Sequence, residues 1–266
     1  MSPRSRRPLL LGLIALLVVL AVVVSVAVVQ RDDGPATETG APVAQDQPGP
    51  VLLVPGYGGS AASVAALAGE LRAAGRTVSV IEPPGDGRGD LRDTARVLLE
   101  ESDRALRDGA PSVDVVGYSA GGVIARYWAA ELGGDAVARR VVTLGSPHHG
   151  TSLAALGARV GRCPPGCEQL VPDSDLLSDL NADDETPDGP LWTTIWTDRD
   201  TIVTPPDSAR LDGATQVVVQ QVCPGTAVSH GELPQHPLVT ALVLEALAAD
   251  PPPASYGPQD CARLSA

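Results

Sequence analysis

"VVGYSAGGVIARYW", Val115 to Trp128, sets a serine between glycines, directly after an apolar run and directly before a helical pattern. A strand inside an ordinary core has no use for that arrangement. A nucleophile that must stand clear of a sheet does. Read as strand, turn and helix, the stretch spells G-x-S-x-G as Gly117-Tyr118-Ser119-Ala120-Gly121. Gly117 and Gly121 lack side chains, so the strand and the helix can close around Ser119. The helix then turns its unpaired N–H groups and positive dipole end toward the serine. The bare pattern also arises as a glycine-rich turn with an idle serine. The strand before it and the helix after it favour the chemical reading.

Working outward, the same alternation repeats. Val51–Val54 is a short apolar run of the kind buried on both faces, and Ser63 to Ala74 has helical spacing with Gly75 as a stop. Thr77–Ile81 predicts a second strand, and Leu91 to Leu106 a helix with Arg92, Arg96 and Arg104 on its outer face. Val113–Val116 and Ala120–Leu132 follow as strand and helix, then strands at Val141–Leu144, Trp192–Thr197 and Gln216–Val222. Pro237–Ala248 closes as a helix with proline at its first position. Strands alternating with helices predict an α/β fold, a mostly parallel sheet with helices on both faces. Gly150 to Pro190 interrupts the alternation with polar, Pro- and Cys-containing sequence, and a segment of that length predicts a lid or binding loop.

A serine nucleophile needs a base, and the base needs an orienting acid. On this architecture the chain order is serine, acid, histidine. His148 and His149 follow Ser119 too closely to leave room for an acid after a later strand. His230, in a loop between the last strand and the last helix, can reach back to Ser119. His236 directly precedes Pro237 and reads as a helix-entry residue. The acid belongs just beyond the strand Trp192–Thr197, where Asp198, Asp200 and Asp207 stand. Asp200, at the turn into Ile202-Val203, is preferred, although a charged loop residue is as often simply solvated. An oxyanion hole needs two backbone donors: the N–H of Ala120, and one from the turn "PGYGG" after the first strand, where Tyr57 is the candidate.

The first 31 residues read differently. Arg4, Arg6 and Arg7 precede Leu9 to Val29, which carries no charge. A basic start and an apolar run of this length predict a membrane anchor with the N-terminus cytoplasmic, or else a cleaved export signal with a partial site at Ser25-Val26-Ala27. Residues 1–30 are thus anchor or signal, and 31–50 a flexible linker rich in Pro, Gly, Thr, Gln and Asp. Residues 51–266 form a single domain outside the membrane, with 150–190 as its lid-like insertion. The formal net charge is −13, and without the three leading arginines 16 basic residues face 32 acidic ones. Such a surface excludes nucleic acid as a partner and does not dock on anionic headgroups by charge. Cys163, Cys167, Cys223 and Cys261 form an even set in an exported chain, so pairing as Cys163–Cys167 and Cys223–Cys261 is expected. A zinc site is the alternative, weakened by the lack of nearby histidines.

Five stretches, "VLLVPGYGG", "GYSAGG", "TLGSPHHGT", "WTDRDTIVTPPDSARLDGA" and "VSHGELPQHPLV", resemble bacterial secreted lipases and esterases of the α/β-hydrolase fold. The small Bacillus-type and actinobacterial lipases are the most similar in pattern. The likeness runs from about Val51 to Ala248. It implies Ser119 as nucleophile, Asp200, the aspartate before "TIV", as acid, His230 as base, and Tyr57 and Ala120 as oxyanion donors. It also implies that Cys163 to Asn181 lies over the active site. One departure is Pro55-Gly56 where many hydrolases carry His-Gly; the donor there is a backbone N–H, so the chemistry is not put in doubt. The expected activity is hydrolysis of carboxylic esters, triacylglycerol or other lipid esters above all, by a monomer with no metal and no cofactor. Acyl transfer by the same residues and an inactive binding protein are the rival readings.

Overall fold

The computed structural model describes residues 43–248 and 250–265. Leu9–Val29, and with it the reading as anchor or signal, lies outside the described residues. No helix among the described residues is long and apolar enough to cross a membrane.

The sheet is built from β1 (Val51–Val54), β2 (Val78–Val80), β3 (Val113–Tyr118), β4 (Ala138–Leu144), β5 (Leu191–Trp196) and β6 (Thr215–Val218). All pairings are parallel, in the order β2-β1-β3-β4-β5-β6. Because side chains alternate across a strand, β1 feeds both faces. Val51 and Leu53 pack with α1 (Ala65–Ala73) and α8 (Pro237–Ala246), burying Leu67, Leu71, Leu238 and Leu242. Leu52 and Val54 pack with α2 (Leu91–Arg107) and α3 (Ala120–Glu131), burying Leu98, Val123, Ile124 and Trp128. Two apolar layers therefore cover one sheet, which is why its strands read as continuous apolar runs.

Parallel register brings the strand ends to one edge. Val54 pairs with Gly117, Tyr118 with Leu144 and Leu144 with Ile195. Pairing continues one step beyond the strands: the Ser119 N–H donates to the Leu144 carbonyl at 2.8 Å, and the Gly145 N–H to that of Ile195 at 2.8 Å. The residues that follow β1, β3, β4 and β5 thus share a rim.

The segment 150–190 contains three short helices, α4 (Ser152–Arg159), α5 (Pro165–Glu168) and α6 (Asp175–Leu180). Leu176, Leu177 and Leu180 of α6 are buried in the α3 side of the core, so this part is fixed to the body. By contrast, α4 leaves Leu153, Leu156 and the following Val160 exposed. One expectation is corrected: the predicted strand Gln216–Val222 ends at Val218, and Val219–Val222 turns into the short helix α7. Its apolar run packs Val219 and Val222 into the core as a helix would. Periodicity cannot separate the two states in so short a run. Cys163–Cys167 and Cys223–Cys261 are in disulfide geometry, the second joining α7's end to α9 (Cys261–Leu264).

At the opposite rim a charged cluster closes the sheet. Asp114, fully buried on β3, accepts from Arg139 Nε at 3.0 Å and Nη2 at 2.7 Å, and from Arg76 at 2.5 Å. Arg139 also caps the carbonyls of Gln45, Leu247 and Ala248. Chain from both ends of the domain is therefore held at one buried guanidinium. Asp114→Ala leaves that charge unpaired and is expected to cost about 3–5 kcal/mol in urea unfolding. Arg96→Ala, which breaks the exposed Arg96–Asp93 pair, is expected to cost under about 1 kcal/mol. Equal midpoints for the two variants would show that the buried cluster carries no special weight.

Candidate active site

Ser119 sits between β3 and α3 with φ 54° and ψ −125°, a left-handed conformation that a serine adopts only under constraint. The constraint comes from its neighbours. A Cβ on Gly117 would lie 2.5 Å from the Gly121 carbonyl, and one on Gly121 would collide with the Val54 carbonyl oxygen. Strand, turn and helix are pressed together at backbone distance, which only glycine permits.

His230 faces the serine across the rim. Its Nε2 lies 3.0 Å from Ser119 Oγ, and its Nδ1–H donates to Asp200 Oδ2 at 2.7 Å. Asp200 lies in the loop after β5. Its other oxygen, Oδ1, accepts from the N–H groups of Ile202 and Val203 at 2.9 and 2.8 Å. Both carboxylate oxygens are therefore committed, and the group is only 6% exposed. Asp198 and Asp207 are exposed and make no bond to His230. His236 directly precedes α8, away from the serine's hydrogen-bond reach.

The first-strand turn lies beside the same serine. A Cβ on Gly56 would fall 3.5 Å from Ser119 Oγ. The next amide, that of Tyr57, donates to no carbonyl or side chain among the described residues. Ala120 is the first residue of α3, where helix geometry supplies its N–H with no intrahelical acceptor. Neither N–H has an acceptor among the described residues, and both belong to segments that adjoin Ser119. Among the described residues no cluster of His, Cys, Asp and Glu could hold a metal ion.

Several residues that the sequence did not single out hold the pair in place. Gly145, at the end of β4, has φ 54°, and a Cβ there would stand 2.6 Å from Leu233 and 3.3 Å from both Asp200 Oδ2 and His230 Nδ1. A glycine directly after a rim strand was the available signal. Tyr118 donates to the His230 carbonyl at 3.2 Å, its ring 5.2 Å from the imidazole. Burial, with the Asp200 charge adding, pushes its phenol up to about 12, so it remains a donor. Thr197 donates to the Val228 carbonyl at 2.7 Å and accepts from Gln220 at 2.9 Å, tying the loop of the histidine to that of the acid. No sequence signal marks Gln220, because it belongs to the stretch that reads as strand.

His148 lies fully buried outside the site, its Nε2 3.1 Å from Thr143 Oγ1. Burial holds its pKa well below the usual histidine range, and the charges of Arg126 and His149 act in the same direction. The folded chain thus refuses a proton that the unfolded chain binds near pH 6.5, so this term is fully present above about 6.5 and is lost on acidification. The loss is at most about 1.4 kcal/mol per pH unit. Unfolding free energies at about pH 7.5 and about pH 5.5 are expected to differ less in His148→Gln than in the wild type. An unchanged difference would remove His148 as the source.

The geometry now stands beside known proteins. Residues 49–161 match the family described as the alpha/beta hydrolase fold. Lipase B of Aspergillus fumigatus is similar in structure, with a TM-score of 0.66 at 23% identity, over 86% of this chain and 62% of that one. The mature form of the Bacillus licheniformis lipase BlEst2 gives a TM-score of 0.62 at 18% identity, over 81% of this chain and 96% of that one. Its propeptide form gives 0.63 at 17%, over 79% and 52%. This chain spans less than two thirds of the fungal enzyme and about half of the propeptide form. No curated protein matches the sequence. At these identities the likeness establishes the fold, which is the α/β-hydrolase fold with a six-stranded, all-parallel sheet.

Proposed function

We propose that the protein is a serine hydrolase of carboxylic esters. One observation carries this reading: the continuous hydrogen-bonded chain Ser119–His230–Asp200, with contacts of 3.0 and 2.7 Å, at the shared rim of the sheet. Ser119 Oγ attacks the ester carbonyl while His230 Nε2 takes its proton. Asp200 holds the imidazole in the tautomer with Nδ1 protonated and steadies the cation that forms. The amide N–H groups of Tyr57 and Ala120 donate hydrogen bonds to the developing oxyanion. Collapse of the tetrahedral intermediate expels the alcohol, which receives the proton from His230 Nε2. A water, deprotonated by the same nitrogen, then attacks the acyl-serine, and a second collapse breaks the acyl–Oγ bond, releasing the acid while His230 Nε2 returns its proton to Ser119 Oγ. Each step uses only groups of this chain and water.

Lipid esters are the substrate class in this reading. Ile202, two residues beyond the acid, is exposed. Its carbonyl accepts from Thr151 at 2.6 Å, and the Ser152 N–H donates to the Thr204 carbonyl at 2.9 Å. The bare apolar face of α4, with Leu153 and Leu156, is thereby tied to the acid loop, and it offers acyl chains a surface. The names of the similar structures, both lipases, agree with this. Leu9–Val29 is in this proposal a membrane tether that keeps an acidic domain, which anionic headgroups repel, near lipid at the outer face.

Ser119→Ala and His230→Ala are each expected to lower kcat/KM for a short-chain p-nitrophenyl ester by about 10⁴-fold, with the folded state kept. Asp200→Asn is expected to lower turnover strongly, and Asp198→Asn less than about threefold. Activity of Ser119→Ala within about tenfold of wild type would sink the assignment. For the tether, fractionation is expected to find the intact chain in membranes and to leave it there after a high-salt wash. A soluble product starting near residue 28 would instead show a cleaved signal.

A further inference from the structure

Arg88 lies between β2 and α2, exposed, and its guanidinium joins no ion pair among the described residues. Of the two aspartates that stand two residues away, Asp86 accepts from the Arg88 backbone N–H at 3.1 Å and Asp90 accepts from the Arg92 N–H at 2.8 Å. Free arginines on a surface are common, but this one is built into place. The Gly58 N–H donates to the Gly87 carbonyl at 2.8 Å, which joins the Arg88 loop to the turn that passes Ser119. On the other side, the Gly166 N–H donates to the Arg88 carbonyl at 3.1 Å. Gln169 closes the same seam, donating to Asp90 at 2.6 Å and accepting from the Leu91 N–H at 2.8 Å. The Cys163–Cys167 disulfide braces the short helix that presents Gly166 and lies just before Gln169.

The arginine side chain then crosses the oxyanion turn. A Cβ on Gly58 would fall 3.1 Å from Arg88 Nε and 3.5 Å from its Cγ, so the stem occupies the room that glycine leaves. Gly58 is two residues from Gly56, at most about 7 Å along the chain, and Gly56 packs against Ser119. The chain is acidic overall, so its field opposes an anionic substrate. A guanidinium in no ion pair, lying against the turn that passes Ser119, works against that field, and its planar fork matches a carboxylate or phosphate with two parallel bonds.

We propose that Arg88 is a substrate-binding residue, and that the site prefers esters carrying an anionic group close to the scissile bond. The proposal rests on the ester-hydrolase reading for the meaning of the site, but its test does not need turnover. In the full chain carrying Ser119→Ala, calorimetry compares three ligands: dibutyl succinate, monobutyl succinate and the butanoyl ester of glycerol 3-phosphate. The second places a carboxylate on the acyl side, and the third a phosphate on the alcohol side, so the arms identify the source of the anion. At least one anionic ester is expected to bind about tenfold tighter than the neutral one, a preference that weakens in about 0.5 M salt. Adding Arg88→Gln is expected to abolish the preference, and Arg88→Lys to keep part of it. No preference, no measurable binding, or a preference that survives Arg88→Gln overturns the proposal. Separately, a Ser119-intact chain that cleaves no ester while the Arg88-dependent preference persists would overturn the hydrolase reading and leave the anion site standing.

Discussion

The arrangement depends on the close approach of β3 and α3 around Ser119. Parallel pairing carries β3 to the rim, and the next residue must reverse direction within a single left-handed step. Such a step strains any residue but glycine. It persists here because Gly117 and Gly121 let three backbones meet, and because the Ser119 N–H continues the pairing to Leu144. The strain is held by a core packed on both faces of the sheet. In return the serine hydroxyl stands free of the sheet, with the start of a helix behind it.

The same rim explains how residues distant in sequence meet. The turns after β1, β3, β4 and β5 all emerge at one edge, because parallel register leaves no other place for them. Tyr57, Ser119, Gly145 and Asp200 are the residues at or just past those ends. His230 arrives from a longer loop, and its approach is set by the hydrogen bonds of Tyr118, Thr197 and Gln220 rather than by the sheet. Of the two disulfides, Cys223–Cys261 ties the chain just before this loop to the C-terminal helix, and Cys163–Cys167 braces the seam beside Arg88.

The legible parts were those with a local physical cause. Glycines around a serine, apolar runs and helical spacing report backbone geometry directly, so the succession of strands and helices and the elbow could be read from residues alone. Asp200 was separable from Asp198 and Asp207 only weakly, because an acid's role is decided by which amides its oxygens meet, and those are set by the fold. The stretch Val219–Val222 misled because a short apolar run packs as well in a helix as in a strand. Gly145, Gln220 and Arg88 act through neighbours far away in sequence, Leu233, Thr197 and Gly58, and no local pattern encodes such pairs.

The central claim is that Ser119 is a nucleophile activated by His230. Treating the full chain with a fluorophosphonate and mapping the modified peptide by mass spectrometry tests it most directly. The account predicts one covalent adduct per chain, on Ser119, formed much more slowly in His230→Ala. No adduct, or an adduct on another residue, would contradict it.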